Sequence, residues 1–181
     1  MPRIQIDAEP WLSGSHSAIH PCLRPLVFSL EQAQQDLKHW TLPLSQEQIW
    51  AQPLGLAPLG FQLRHIAGSV DRLFTYVEAG QLSETQMTAL RSEMIPGATL
   101  VELFAEIDSV FARVIEKVKM LDPTCLTDNR EVGRKQLPTT VIGLLVHIAE
   151  HTQRHVGQAI LTTKVLSAIG TANSGSQLPG Q

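Results

Sequence analysis

Cysteine is nearly absent from this chain, which has 181 residues and only two cysteines. Cys22 and Cys125 lie far apart, so they form neither the CxxC pair of a zinc or redox site nor the dense disulfide framework of a small secreted domain. This pattern fits a protein of the reducing cytoplasm. A Cys22–Cys125 disulfide stays open as an alternative.

Long apolar runs and basic stripes are also missing. No stretch approaches the roughly 20 apolar residues that cross a bilayer, and the N-terminus has no apolar core of the signal-peptide type. The formal net charge is −3 and the basic residues are scattered, so the positive surface that binds phosphate backbones is lacking. We therefore expect a soluble, cytoplasmic protein with no membrane or nucleic-acid partner.

Apolar residues recur at three- and four-residue steps along most of the chain, a spacing that predicts amphipathic helices. The four long helices predicted in this way span residues 25–40, 59–79, 100–121 and 140–169. The residues expected to stop three of them are Pro43, Gly80 and Gly170. No strand is signalled, and the polar stretch of about fifteen residues after Asp122 reads as a loop.

Three capping-box patterns mark further helix starts, each with Ser or Thr followed three residues later by Gln or Glu. The pairs are Ser45 with Gln48, Ser83 with Gln86, and Thr99 with Glu102. The first two predict short helices, and the third begins the long helix from about residue 100.

One domain is predicted, because the chain is long enough for a single core and shows no internal repeat. Residues 1–20 form an irregular N-terminal segment, 21–170 the folded domain, and 171–181 a flexible tail rich in Gly, Ser and Gln. Four long helices without a βαβ rhythm indicate an all-α protein, a four-helix bundle with one or two extra short helices.

The last predicted helix contains three histidines within nine residues, His147, His151 and His155. A pair at i,i+4 lies roughly 6 Å apart on one face, whereas a pair at i,i+8 lies about 12 Å apart, too far to share one ion. The spacing alone therefore allows either His147 with His151 or His151 with His155. An HxxxH pair also arises by chance, so packing or solvated histidines are the alternative, and the Glu of the HExxH motif is missing.

A helical wheel distinguishes the two pairs. Apolar residues of the last helix gather on the side toward which His155 turns, and His147 turns toward the charged side with Glu150 and Arg154. The ligand pair is therefore predicted to be His151 and His155, with His147 either at the rim or in contact with a ligand. His65 flanks the apolar face of the second long helix and could supply a third imidazole, a set typical of catalytic metal sites that keep a position open.

Two short regions around these histidines resemble the signature regions of the DinB-like, or YfiT-like, superfamily. Residues 65–69 read HIAGS in a helix that follows a Pro/Gly-rich loop, and residues 151–158 read HTQRHVGQ in the last helix. In that family an early His and a late HxxxH, commonly followed by Gly-Gln, supply three metal ligands. The resemblance extends from the first helix to about Leu166.

The resemblance implies an up-down-down-up four-helix bundle that holds one divalent metal, Zn²⁺ or Ni²⁺, at His65, His151 and His155. It further implies a thiol-dependent S-transferase, isomerase or hydrolase that acts on a small-molecule substrate with a low-molecular-weight thiol, and a homodimer. The alternative is a non-catalytic, metal-stabilised dimeric bundle that acts as an interaction protein.

No general base emerges from the sequence. His147 lies one turn from the predicted site, Glu150 points elsewhere on the wheel, and Tyr76 is three turns from His65 and reads as a packing residue. Basic residues in the loop before the last helix could meet a carboxylate on a thiol cofactor, although a solvated loop is the simpler interpretation. These residues are Arg130, Arg134 and Lys135.

Overall fold

The computed structural model describes residues 8–41 and 44–175, the last five of them as helical backbone only. The stop predicted at Pro43 and the outer parts of both predicted tails, residues 1–7 and 176–181, lie outside these described residues.

The chain is mostly helical, as predicted. The helices are α1 (Arg24–Trp40), α2 (Gln46–Ile49), α3 (Leu59–Val77), α4 (Glu84–Ser92), α5 (Leu100–Met120) and α6 (Val141–Gly175). Three short 3₁₀ turns lie between them, at Pro10–Leu12, Pro53–Gly55 and Pro123–Thr127.

All three predicted capping boxes form. The side chains of Ser45, Ser83 and Thr99 each accept a hydrogen bond from the backbone N–H three residues later, and the Gln or Glu at that position bonds back to the capping residue's N–H. These bonds satisfy backbone donors that a helix start otherwise leaves without a partner. The starts of α2, α4 and α5 are thus set by local sequence.

Two helix ends differ from the prediction. Helix α3 ends at Val77, and the left-handed residue beyond it is Ala79, with φ 57°, rather than Gly80. Gly80 instead donates its N–H to the carbonyl of Thr75 at 2.8 Å. Gly170 does not end α6, which continues to Gly175. One glycine inside a helix costs only about 1 kcal/mol, too little to stop a long helix.

A small hairpin occupies the stretch that was predicted to be a loop. Strand β1 (Asn129–Val132) pairs antiparallel with β2 (Leu137–Thr140), and the turn contains Gly133 with φ 71°. The prediction of no strand was wrong because each segment has four residues, too few to show alternation, and β2 contains Pro138, which sequence rules count against a strand.

The four long helices pack around one apolar core. Helix α6 packs against α1 and α3, and α5 packs against α3 and, less closely, α1. Fully buried Leu63 and Ile66 of α3 and Ile148 of α6 belong to this core, where each such side chain stabilises the fold by about 1.5–3 kcal/mol. The interface between α3 and α6 carries the candidate site.

Two further expectations concern the cysteines and membrane-spanning helices. Cys22 and Cys125 are free thiols, so the alternative of a disulfide between them was wrong. Among the helices described, none combines the length and the apolar character that crossing a bilayer requires.

Candidate metal centre

Three imidazoles from two helices meet at the α3–α6 interface. His65 comes from α3, and His151 and His155 come from successive turns of α6. One potential ligand atom from each lies within 4.8 Å of the other two, and the Nε2 atoms of His65 and His151 are 3.0 Å apart. The structure therefore brings together the three histidines singled out by the sequence.

His147 lies outside this cluster, at its solvent side. Its side chain is 48% exposed, and Nδ1 lies 2.7 Å from a carboxylate oxygen of Glu150. His147, Glu150 and His151 form a second, more exposed group with potential ligand atoms within 4.8 Å. The helical wheel predicted this rim position correctly, because α6 is regular through the whole HxxxHxxxH stretch.

A buried carboxylate holds the far side of the His65 ring. Nδ1 of His65 lies 2.8 Å from Oε2 of Glu93, whose side chain is only 7% exposed. The other oxygen of Glu93 forms an ion pair with Arg72, with Nη2 and Oε1 2.8 Å apart. An ionised carboxylate only accepts hydrogen bonds, so the His65 ring donates through Nδ1 and directs the Nε2 lone pair toward His151.

The other two imidazoles have different partners. Nδ1 of His155 lies 2.7 Å from Oε1 of the buried Gln62, whose amide donates to Oε1 of Gln158 at 3.0 Å. This chain of bonds makes Nδ1 the donor of His155 as well. Nδ1 of His151 is buried and makes no hydrogen bond within the described residues.

Burial keeps the imidazoles of His151 and His155 neutral near pH 7. Burial, reinforced by the nearby His65 ring, lowers the pKa of His151 and lowers the pKa of His155 to about 4. Burial alone would raise the pKa of Glu93, but the hydrogen bond from His65 and the charge of Arg72 outweigh it, so this pKa is lowered. Neutral imidazole is the form that binds metal.

One wall of the site is formed by the aromatic ring of Phe61, next to an arginine that hydrogen bonds hold in place. The ring of Phe61 stacks on His65, with ring centroids 5.4 Å apart. One turn along α3, Arg64 lies over the ring of Trp50 and donates to the backbone carbonyls of Ser92, at the end of α4, and Ile95. His65 therefore sits between an apolar ring on one side and fixed polar groups on the other.

Sequence reasoning missed the polar partners of the imidazoles. Glu93 directly follows a short exposed helix, and nothing in its local sequence distinguishes it from a surface acid. Gln62 and Arg72 do carry a signal: they lie three residues before and seven after His65, on the same stripe of α3. A buried site on that stripe would need such residues as hydrogen-bond partners.

The basic loop residues do not reach the site. Arg130 donates to the carbonyl of Val77 at the end of α3, roughly 18 Å along that helix from His65. Arg134 and Lys135 are exposed in the hairpin turn. Tyr76 is buried and packs in the core, as predicted.

The sequence model of the DinB family of proteins, described as the DinB superfamily, matches residues 29–159, well over half of the chain. The chain belongs to the DinB superfamily. The matched range begins in α1 and includes both histidine regions, so the resemblance noted in the sequence is confirmed. DinB proteins generally bind metal, and the His65, His151 and His155 cluster lies within the matched range. No curated protein is similar enough to the chain to extend this assignment.

Proposed function

We propose that this DinB protein is a metal-dependent enzyme that holds one divalent ion at His65, His151 and His155. The observation that carries the proposal is the convergence of three imidazoles from two helices within 4.8 Å. Nitrogens on one tetrahedral Zn²⁺ lie about 3.3 Å apart, given Zn–N bonds of about 2.0–2.1 Å. The 3.0 Å between the Nε2 atoms of His65 and His151 is close to that value.

The chemistry of the donor set fits a catalytic ion. Three neutral imidazoles leave a fourth position for water or substrate, and imidazole suits Zn²⁺ and Ni²⁺ alike. Glu93 is paired with Arg72 and Glu150 with Arg154, so neither carboxylate cancels the charge of a divalent ion. A bound ion would lower the pKa of a thiol or water beside it and so favour a nucleophilic anion near neutral pH.

The protein's own residues contribute binding and exclusion of water. Phe61 covers one face of His65, which leaves that side chain 19% exposed, and Gln62 holds His155 from the buried side. The exposed side chains of His147 and Arg154 mark the proposed side of access. A partly exposed ligand supports access by a small-molecule substrate. The low-molecular-weight thiol and the reaction class, a thiol-dependent S-transferase, isomerase or hydrolase, rest on the resemblance to the family.

The proposal includes two further expectations that rest on the resemblance to the family, the topology and the homodimer, and a third, the cytoplasm, that rests on the sparse cysteines. The four long helices would run up-down-down-up as a bundle, the protein would pair as a homodimer, and it would act in the cytoplasm. Sedimentation equilibrium of the purified chain would measure directly whether it is a homodimer.

Metal content tests the proposal. The untagged chain, purified without a metal-affinity column, is expected to contain or take up about one Zn²⁺ or Ni²⁺ per chain, and a His151→Ala/His155→Ala variant none. The matched control, His39→Ala/His147→Ala, also removes two imidazoles but leaves the triad intact, so it should bind like the parent. A parent that binds neither metal would overturn the proposal.

Cobalt substitution then separates an enzyme from a metal-stabilised interaction protein. With Co²⁺ in the site, added cysteine or glutathione is expected to produce a thiolate-to-cobalt absorption band, because the fourth position is open. A spectrum that no thiol changes, in a protein that Co²⁺ nevertheless stabilises against heat, would favour the non-catalytic alternative.

A further inference from the structure

Glu93 is buried although the helix before it is not. Helix α4 has no buried residue, yet Glu93, the next residue along the chain, is 5% exposed. Removing a carboxylate from water costs several kcal/mol unless charged or hydrogen-bonding partners replace the water. Glu93 has two such partners, His65 and Arg72, so its burial is tied to the metal centre rather than to packing of α4.

The segment that carries Glu93 is fixed from α3. Nη1 of Arg64 donates to the carbonyls of Ser92 at 3.1 Å and Ile95 at 2.6 Å, one on each side of Glu93. The position of the carboxylate therefore depends on two arginines of the same helix that carries His65.

Gly68 provides the space for this arrangement. It lies one turn beyond His65 on α3, and a Cβ there would come within 2.6 Å of Nη1 of Arg72 and 2.9 Å of Oε1 of Glu93. The ion pair thus passes directly over a residue without a side chain. This gives a physical reason for the glycine in the HIAGS region.

The three imidazoles receive unequal support. His65 faces a carboxylate, His155 faces the neutral amide of Gln62, and Nδ1 of His151 has no partner among the described residues. A carboxylate that accepts from the far nitrogen of a ligating imidazole fixes its tautomer and makes the near nitrogen a stronger donor to metal. Only His65 is placed to gain this effect.

We propose that Glu93 is the positioning residue of the metal centre: it keeps His65 in the Nδ1–H tautomer with Nε2 directed at the ion, while Arg72 and Gly68 hold the carboxylate in place. The part that concerns metal affinity rests on the proposed function. The part that concerns the tautomer does not, because the hydrogen bond is formed without an ion.

The first arm of the test reads the tautomer in metal-free protein. Long-range ¹H–¹⁵N spectra of the histidine rings are expected to show His65 as Nδ1–H in the parent and as a mixture in Glu93→Gln. Glu84→Gln, which removes a carboxylate from α4 without touching an imidazole, should keep the parent spectrum. A parent His65 protonated at Nε2 would overturn the proposal without any variant.

The second arm measures Zn²⁺ affinity by competition with a chromophoric chelator. Glu93→Gln is expected to bind about 10–100-fold more weakly than the parent, and Glu84→Gln equally well. Glu93→Asp, which keeps the charge but shortens the reach to His65, should also lose affinity, and it replaces Glu93→Gln if that variant does not fold. Parent-like affinity in a folded Glu93 variant would overturn the role.

The two arms separate this proposal from the proposed function. A parent that binds no Zn²⁺ but shows the Nδ1–H tautomer would overturn the metalloenzyme while supporting the His65–Glu93 geometry. A parent that binds Zn²⁺ with the other tautomer would do the reverse.

Discussion

At the scale of single residues, burial determines the chemistry of His151 and His155. His155 is partly buried and lies beside the rings of His65 and His151, so its protonated form is disfavoured and its pKa falls to about 4. A proton then competes with metal for this ring only in acid. His147, half exposed and paired with Glu150, lacks this environment although it lies on the same helix.

Acid is expected to destabilise the metal-free protein through His155. The folded-state pKa of about 4 lies below the value of 6.5 for an unperturbed imidazole, so the unfolded chain takes up the proton first. The free energy of unfolding should therefore fall as the pH drops through 6.5 and keep falling to about 4. Urea denaturation at a series of pH values measures this slope.

Matched variants isolate the contribution of this ring. His155→Gln cannot take up the proton, so its stability should depend less on pH than that of the parent. His39→Gln, a change at an exposed histidine of α1, should keep the parent slope. Equal slopes for all three proteins would contradict the assigned environment of His155.

The sequence predicted the residues that a regular helix places on one face. His65, His151 and His155 were found because α3 and α6 keep their period through the site, so spacing translates into direction. Glu93 was not found, because its position depends on how the segment after α4 folds back onto Arg64 and Arg72. That fold is a tertiary effect with no local periodicity.

At the scale of elements, capping explains the starts of α2, α4 and α5, whereas α1 and α3 begin without a side-chain cap. The boxes at Ser45, Ser83 and Thr99 act within four residues and were predictable. The hairpin β1–β2 was not, because its strands are short and Pro138 argues against one of them. The continuation of α6 past Gly170 was also missed. A glycine ends a helix only where the residues after it leave the helical conformation.

The start of α3 is expected to tolerate no side chain at Gly60. A Cβ there would lie 2.7 Å from the ring of Trp50, whose Nε1 donates to the carbonyl of Ala98 at 2.9 Å. Gly60→Ala should therefore displace the ring and lower the free energy of unfolding by about 1–3 kcal/mol. Urea denaturation followed by circular dichroism, with tryptophan fluorescence for the ring, measures both effects.

Gly157 of α6 provides the matched control, because a Cβ there meets nothing within 4 Å. Gly157→Ala should raise the free energy of unfolding by up to about 1 kcal/mol through its better helix propensity. If Gly60→Ala stabilised the protein as much as Gly157→Ala does, the packing of Trp50 on α3 would be refuted.

At the scale of the whole molecule, the packing of α6 on α3 positions the site, and both helices lie within the range matched by the family or overlap it. The DinB match covers residues 29–159, and the three clustered histidines His65, His151 and His155 lie where α6 packs on α3. The sequence alone predicted the helical class and three clustered imidazoles. It could not supply the polar partners around them, since these come from side chains that meet only after the helices pack.

Anomalous diffraction from crystals of the Zn²⁺-loaded protein, recorded at the zinc edge, would locate the ion and so test the proposed site. We expect one strong peak per chain, about 2.0–2.1 Å from a ring nitrogen of each of His65, His151 and His155. A peak at His147 and Glu150 instead, or no peak near the three imidazoles, would contradict it.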